Sequence, residues 1–195
     1  KKKKLINFMD EEALNYLPKV INKYCNTEPI LLGHSDGASI AIIYAGNKLP
    51  CKAIILEAPH VIVENITINE IKKLKKAWEC SNLKDRFKKY HRNPEQAFSS
   101  WCNAWLSKDF VSWNITSLIK NIMCPILLIQ GNNDQYGSTR QLDLIASNCS
   151  SYLEKVVLDN CKHSPHHEHP KLVVDSIEKL PYPALTKMLL SRFLS

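Results

Sequence analysis

The segment that most constrains the fold is Gly33-His34-Ser35-Asp36-Gly37, which directly follows a short apolar run at 29–33. A run rich in Ala and Ile follows it at 36–45, so the segment predicts a strand that turns sharply into a helix. A serine on such a turn is held in a strained backbone conformation with its hydroxyl exposed. We expect the glycines at both ends of the segment to make room across the turn, because larger side chains would clash there.

Three further apolar runs resemble the run that precedes Ser35, and they lie at 53–57, 125–130 and 153–158. Short apolar runs between helical patterns are typical of buried parallel strands. Outside a long insert, the predicted helices are at 10–24, 36–45, 138–147 and 170–180. Pro18 should kink or shorten the first of them. This order of elements predicts an α/β fold in which helices sandwich a parallel sheet.

The insert at 61–120 is predicted to be helical and contains all four tryptophans, Trp78, Trp101, Trp105 and Trp113. It lies between two strands whose carboxyl ends face one crevice, so we predict a helical cap over a ligand site. The alternative is a packing subdomain with no part in ligand binding. The predicted organisation is a core of 1–60 and 121–183, a cap insertion at 61–120 and a C-terminal tail helix at 184–195.

An acid and a base follow the next strands in an order that fits the serine. Asp134 comes just after the run at 125–130, and His163 comes just after the run at 153–158. The carboxyl ends of parallel strands meet at one edge of the sheet, so Ser35, Asp134 and His163 should lie together. Chemistry assigns them as nucleophile, orienting acid and general base. The backbone N–H of Asp36, at a helix start, is the predicted oxyanion donor.

Other polar residues near these strands leave alternatives open. Glu57 is the reserve acid, and His34 either lines the pocket or packs against it. The alternative interpretation of the loop after His163 is a metal site built from His166, His167 and His169. We favour no metal and no cofactor, because His163 comes soonest after its strand and the other histidines fall where a helix begins. We treat His60 and His91 as ordinary cap or loop residues.

Composition excludes several classes of partner. The net charge is +7, but Lys1–Lys4 and a lysine-rich helix face at 72–76 account for much of it. We therefore predict no nucleic-acid partner. No apolar run approaches the roughly 18 residues of a membrane span. Seven cysteines without a CxxC pair indicate reduced thiols and a cytoplasmic location.

These residues resemble the α/β-hydrolase superfamily, and specifically the bacterial serine hydrolases that carry a cap. The resemblance covers about 8–180 and rests on the motifs at 33–37, 56–60, 103–106, 130–134 and 163–166. It implies a serine hydrolase that acts on ester, thioester or amide bonds of a small molecule through an acyl-enzyme. His34 and Trp105 are then candidate substrate-binding residues in a mainly apolar pocket. The alternative is a catalytically inactive remnant or a binding module.

Two departures from the family pattern matter. Relatives often have Gly where this chain has Lys162, and a positive φ there would strain the loop. Relatives also have several strands and a His-Gly-type oxyanion loop before the elbow, whereas Ser35 lies near the start of this sequence. We therefore expect one oxyanion donor instead of two, which typically costs about 10²–10³-fold in rate. We also expect a C-terminal piece of a longer hydrolase, with an open sheet edge that favours self-association.

Overall fold

Four strands form one parallel sheet, and they lie side by side in the order in which they occur in the sequence. The computed structural model describes residues 7–180. The strands are β1 (Ile30–His34), β2 (Ala53–Glu57), β3 (Ile126–Gly131) and β4 (Leu153–Leu158). All three neighbouring pairs are parallel. The predicted α/β sandwich is therefore confirmed, and each predicted strand agrees with the structure to within one residue.

The apolar runs are continuous because both faces of the sheet are covered. On one face, Ile54 and Leu128 belong to the larger core cluster, which also contains the helix that follows Ser35. On the other face, Ile55 and Leu127 pack with Val173 of the last described helix. Parallel strands buried on two faces need apolar residues at successive positions, which explains why these runs do not alternate.

The first helix, α1, contains a proline and accommodates it with a π-helical turn. It runs through Phe8–Glu11, a π-helical segment Glu12–Tyr16, and Leu17–Tyr24. Pro18 lacks an N–H and would crowd the carbonyl four residues earlier in a regular α-helix. The π-helical turn lies directly before it, so the predicted disturbance at Pro18 is present as a change of helical pitch.

The remaining helices flank the strands or fill the insert. They are α2 (Asp36–Gly46), α3 (Asn65–Cys80), α4 (Leu83–Lys88), α5 (Pro94–Trp105), α6 (Thr116–Ile119), α7 (Arg140–Asn148), α8 (Pro165–Glu168) and α9 (Pro170–Glu178). Helix α7 begins two residues after the predicted start at 138. The predicted tail helix at 184–195 lies outside the described residues. Within 7–180, no helix has the length and apolar character required to cross a bilayer.

The insert between β2 and β3 joins the main core instead of standing apart from it. Trp78 stacks on Phe98 with ring centroids 3.9 Å apart, and both belong to the same cluster as Leu128 of β3. An antiparallel bridge between Ile62 and Asn114 closes the base of the insert. Packing explains Trp78, and the division into core and cap stays a prediction.

The outer edge of β1 has no strand beside it within residues 7–180. Leu32, in the middle of β1, keeps 42% of its surface exposed. An open, apolar strand edge is a template for pairing with another chain. Self-association through this edge stays a prediction.

Truncating a side chain at the centre of the sheet should lower the unfolding free energy far more than truncating one at its edge. Leu128→Ala removes a side chain that is 0% exposed, whereas Leu32→Ala trims one that is 42% exposed. We expect about 2–5 kcal/mol of lost unfolding free energy for Leu128→Ala and less than about 1 kcal/mol for Leu32→Ala. Urea unfolding of both variants measures the difference, and equal losses would contradict this account of the core.

Candidate active site

Ser35 occupies the junction between β1 and α2 in a strained conformation. Its φ is 55° and its ψ is −121°, which is rare for a residue with a side chain. Its N–H donates to the carbonyl of Glu57 at 2.8 Å, so the pairing of β1 with β2 holds the turn in place. Its carbonyl accepts the N–H groups of Ala38 and Ser39, which starts the helix directly behind it.

The two glycines of the elbow do not play the same part. A Cβ built on Gly33 would lie 2.3 Å from the carbonyl oxygen of Gly37, a contact that no real Cβ makes. A Cβ built on Gly37 meets no heavy atom within 4 Å among the described residues. The expectation that both glycines make room is therefore wrong for Gly37, because a methyl group at that position would enter open space.

The structure brings Ser35, His163 and Asp134 into one chain of hydrogen bonds. His163 Nε2 lies 2.9 Å from Ser35 Oγ, and His163 Nδ1 lies 2.9 Å from both carboxylate oxygens of Asp134. With Nδ1–H donating to Asp134, the Nε2 lone pair accepts the Ser35 hydroxyl proton. His163 is aligned at both nitrogens, as a base that takes a proton from a serine must be.

Asp134 is held in its ionised form. Burial opposes ionisation, but the hydrogen bond from His163 and the N–H of Tyr136 hold the pKa of the Asp134 carboxyl below its usual value. Tyr136 N–H donates to Oδ1 at 2.8 Å, and the buried amide of Gln130 donates to Oδ2 at 3.2 Å. Gln130 also donates to the carbonyl of Gly137, which ties the acid loop to β3.

Asp36 links the elbow to the insert. Its carboxylate Oδ2 accepts the indole N–H of Trp101 at 2.8 Å and that of Trp105 at 3.4 Å. Burial raises the pKa of the Asp36 carboxyl to about 6, although the two indoles and the charge of His163 oppose the rise. Its backbone N–H, at the start of α2, has no acceptor within residues 7–180. That N–H remains available to an anionic group beside Ser35.

A cavity of about 230 Å³ opens next to Ser35 Oγ. Ten residues from the elbow, the insert and the two loops line it: His34, Ser35, Asp36, His60, Thr67, Ile71, Trp101, Trp105, Tyr136 and His163. Both predicted substrate-binding residues, His34 and Trp105, are among them. Most of the exposed lining is apolar carbon, so the cavity suits an uncharged organic group.

His34 and His60 contribute differently to this cavity. His34 Nε2–H donates to the backbone carbonyl of His163 at 2.6 Å, which fixes the loop that carries the base. Burial lowers the pKa of the His60 imidazole to about 3, so His60 is neutral at physiological pH. His60 is buried and lines the cavity, a placement that the sequence analysis did not predict. Its position just after β2, at the same sheet edge as Ser35, is the signal that could have identified it.

Glu57, the reserve acid, serves another histidine. Its buried carboxylate accepts both the N–H and the Nδ1–H of His166, at 3.1 and 2.8 Å. Among the described residues, no three His, Cys, Asp or Glu side chains are grouped closely enough to hold a metal ion. Lys162 does not strain the loop, because the positive φ falls on Asn160, at 54°.

Comparisons with known proteins agree with this fold. A sequence profile for the alpha/beta hydrolase family matches residues 6–176. A search of curated proteins by sequence gives no match. Three solved structures illustrate the likeness of fold, each at 15–16% sequence identity.

The first of the three is a serine hydrolase involved in carbazole degradation, with a TM-score of 0.66, covering 87% of this chain and 70% of that one. A hydrolase from Bacillus anthracis gives 0.62, with 86% and 73% covered. A thermophilic esterase from Thermogutta terrifontis gives 0.59, with 87% and 70% covered. At this identity the likeness shows the fold alone.

The two elbow glycines provide a matched test of the turn. Gly33→Ala would force a Cβ into the backbone of the next turn, so we expect a loss of at least about 2 kcal/mol in unfolding free energy. Gly37→Ala lies within α2 with open space around it, so we expect a change between zero and about 1 kcal/mol of stabilisation. Chemical denaturation measures both variants, and similar losses would contradict the different roles assigned here.

Asp36 should make stability depend on pH in a defined window. Its pKa is about 6 when folded and about 3.8 when unfolded, so the folded chain binds more protons between those values. Stability should therefore fall as pH rises from about 4 to about 6. Asp36→Asn removes this slope and should stabilise the chain at pH 7.5 by about 1–3 kcal/mol. Urea midpoints at pH 4.5 and 7.5 test this, with exposed Asp109→Asn as the control, and an unchanged slope would contradict it.

Proposed function

Because the chain belongs to the alpha/beta hydrolase family, we propose that it is a serine hydrolase acting on ester-like bonds of a small molecule. The proposed bonds are ester, thioester or amide, and the proposed route is an acyl-enzyme on Ser35. The observation that carries the proposal is the unbroken hydrogen-bond chain from Ser35 Oγ through His163 to Asp134.

The proposed reaction uses His163 twice. Ser35 Oγ attacks the carbonyl carbon while its proton moves to His163 Nε2, and Asp134 stabilises the imidazolium that forms. His163 then gives this proton to the leaving oxygen, sulfur or nitrogen, and the acyl group remains on Ser35. Water enters, loses a proton to His163 and releases the acid, which returns Ser35 to its starting form.

The negatively charged oxygen of the tetrahedral intermediate must be stabilised by hydrogen-bond donors. The backbone N–H of Asp36 supports this role, since it lies at the amino end of α2, where the helix dipole also favours an anion. Each such donor is worth about 10²–10³-fold in rate.

The cavity supports a small substrate with an apolar acyl group. Its volume of about 230 Å³ lies just below the usual range of ligand pockets, about 300–1,000 Å³. Trp105 and Ile71 come from the insert and provide apolar walls, which supports the proposal that the insert acts as a cap. His34 and Trp105 are the proposed substrate contacts.

Covalent labelling tests the proposal directly. We expect a fluorophosphonate to modify Ser35 in the folded chain, with the adduct located by peptide mass spectrometry. His163→Ala should abolish labelling, and Asp134→Asn should slow it on the order of 10³–10⁴-fold, because the imidazole loses its proper tautomer. His167→Ala is the matched control, since His167 is exposed and lies outside the hydrogen-bond chain.

The outcomes separate an enzyme from a binding module. Labelling at Ser35 that depends on His163, together with hydrolysis of a short aryl ester such as 4-nitrophenyl acetate, supports a serine hydrolase. A chain that is folded by circular dichroism but unlabelled would overturn the proposal. The alternative, a non-catalytic binding module with a hydrolase-like pocket, would then be favoured.

A further inference from the structure

Two cysteine side chains meet at the end of the sheet opposite Ser35. Cys51 lies just before β2 and Cys124 lies just before β3, and their sulfur atoms are 3.6 Å apart. All seven cysteines fall within residues 7–180, and this is the one thiol–thiol contact in that part of the chain. Both side chains are half-buried, so each is covered by protein on one side and reachable from the other.

The backbone holds the two thiols in this position. Lys52 N–H donates to the carbonyl of Pro29, and Ile54 N–H donates to the carbonyl of Pro125, so the sheet fixes the residues next to both cysteines. Ser151 Oγ donates to the carbonyl of Cys124 at 2.9 Å. A disulfide needs a sulfur–sulfur distance of about 2.05 Å, which is roughly 1.5 Å shorter than the present contact. Rotation of two side chains can supply that change while the strands stay paired.

We propose that Cys51 and Cys124 form a redox-active dithiol, a modification site at which peroxide converts the pair into an intramolecular disulfide. The site lies apart from Ser35, because the strands are parallel and the cysteines precede them whereas the catalytic candidates follow them. It therefore does not depend on the hydrolase activity proposed above.

The two thiols divide the chemical roles between them. The contact between the two thiols lowers the pKa of the Cys124 thiol and raises the pKa of the Cys51 thiol. Cys124 is thus the group that reaches the thiolate form first, and thiolates are the nucleophiles in this chemistry. A cavity of about 250 Å³ is lined by both cysteines, and its wall also carries one cation, Lys48, and one anion, Glu28.

The reaction balances with one peroxide. The Cys124 thiolate attacks one oxygen of hydrogen peroxide, an S–O bond forms, the O–O bond breaks, and hydroxide leaves as water after taking a proton. This gives a sulfenic acid on Cys124. The Cys51 sulfur then attacks the Cys124 sulfur, the S–O bond breaks and a second water leaves with the Cys51 proton. Two thiols are oxidised and one peroxide is reduced to two waters.

Peptide mapping of the whole chain provides the test. The reduced protein is treated with a small excess of hydrogen peroxide, blocked with N-ethylmaleimide and digested with trypsin without reductant. Tryptic peptides 49–52 and 121–140 carry one cysteine each, Cys51 and Cys124. We expect these two peptides to be joined as the dominant product, the number of free thiols to fall by two, and dithiothreitol to reverse both changes.

Three variants distinguish this pair from general oxidation. Cys149→Ser is the matched control, because Cys149 is also half-buried but contacts Ser151 and no thiol in the described part of the chain, so the link should persist. Cys51→Ser and Cys51→Ala should both abolish the link and leave a Cys124 sulfenic acid that dimedone traps. Cys51→Ala should also slow alkylation of Cys124 at pH 7.5 several-fold, whereas Cys51→Ser, which keeps a donor, should slow it less.

The result that would overturn the proposal is equally specific. If peroxide joins Cys124 to Cys149 as often as to Cys51, or leaves Cys51 and Cys124 unlinked while other cysteines oxidise, the pair is no special site. If Cys51→Ala does not change the alkylation rate of Cys124, the hydrogen bond does not activate Cys124.

Discussion

Backbone hydrogen bonds between parallel strands fix the positions from which the loops of the site leave the sheet. Ser35 donates its N–H to Glu57, Ala58 donates to Ile129 and Asn132 donates to Leu158, so each loop leaves the sheet from a fixed point. Each loop then carries one polar group of the site over a short distance. The geometry around Ser35 Oγ therefore depends on strand register more than on any side-chain contact, and a shift of one residue would turn the groups to opposite faces.

Three carboxylates lie at this edge of the sheet, and each one accepts hydrogen bonds from a different part of the chain. Asp134 is paired with His163, and Glu57 is paired with His166. Asp36 is held by two indole N–H groups that carry no net charge. The consequence is visible in the pKa values, since hydrogen bonds outweigh burial at Asp134 and hold the pKa of its carboxyl below the usual value. At Asp36, whose side chain accepts from indole donors, burial raises the pKa of the carboxyl to about 6.

The sequence predicted the elements that depend on local patterns. The strands were found because residues buried on two faces give continuous apolar runs, and Ser35, Asp134 and His163 were brought together because each follows a strand of one parallel sheet. Contacts made by the insert were beyond this reasoning. The hydrogen bond from Trp101 to Asp36 joins residues 65 positions apart, and its formation depends on how α5 lies over the elbow. No periodicity encodes that orientation.

The same limit explains His60, Glu57 and the pair Cys51–Cys124. The sequence places each of these residues at or next to the end of a strand. It does not predict which side chain each one contacts, because that depends on the side-chain rotamers of a neighbouring strand or loop. From the sequence, either His163 or His166 could be the partner of Asp134. In the structure His163 contacts Asp134, whereas His166 contacts Glu57, which ends the neighbouring strand β2. Position relative to a strand predicts which edge a residue occupies, and only packing decides which neighbour it contacts.

Asp36 shows how one residue can serve opposite electrostatic demands in the proposed reaction. Its backbone N–H, at the start of α2, favours negative charge beside Ser35, while its own carboxylate would repel that charge at short range. The indoles of Trp101 and Trp105 draw the carboxylate charge toward the insert. The same carboxylate attracts the positive charge that develops on His163 during the proposed reaction, because opposite charges stabilise each other at short range. The insert thus takes part in the electrostatics of the elbow, since its two indole N–H groups lower the pKa of the Asp36 carboxyl, which burial raises.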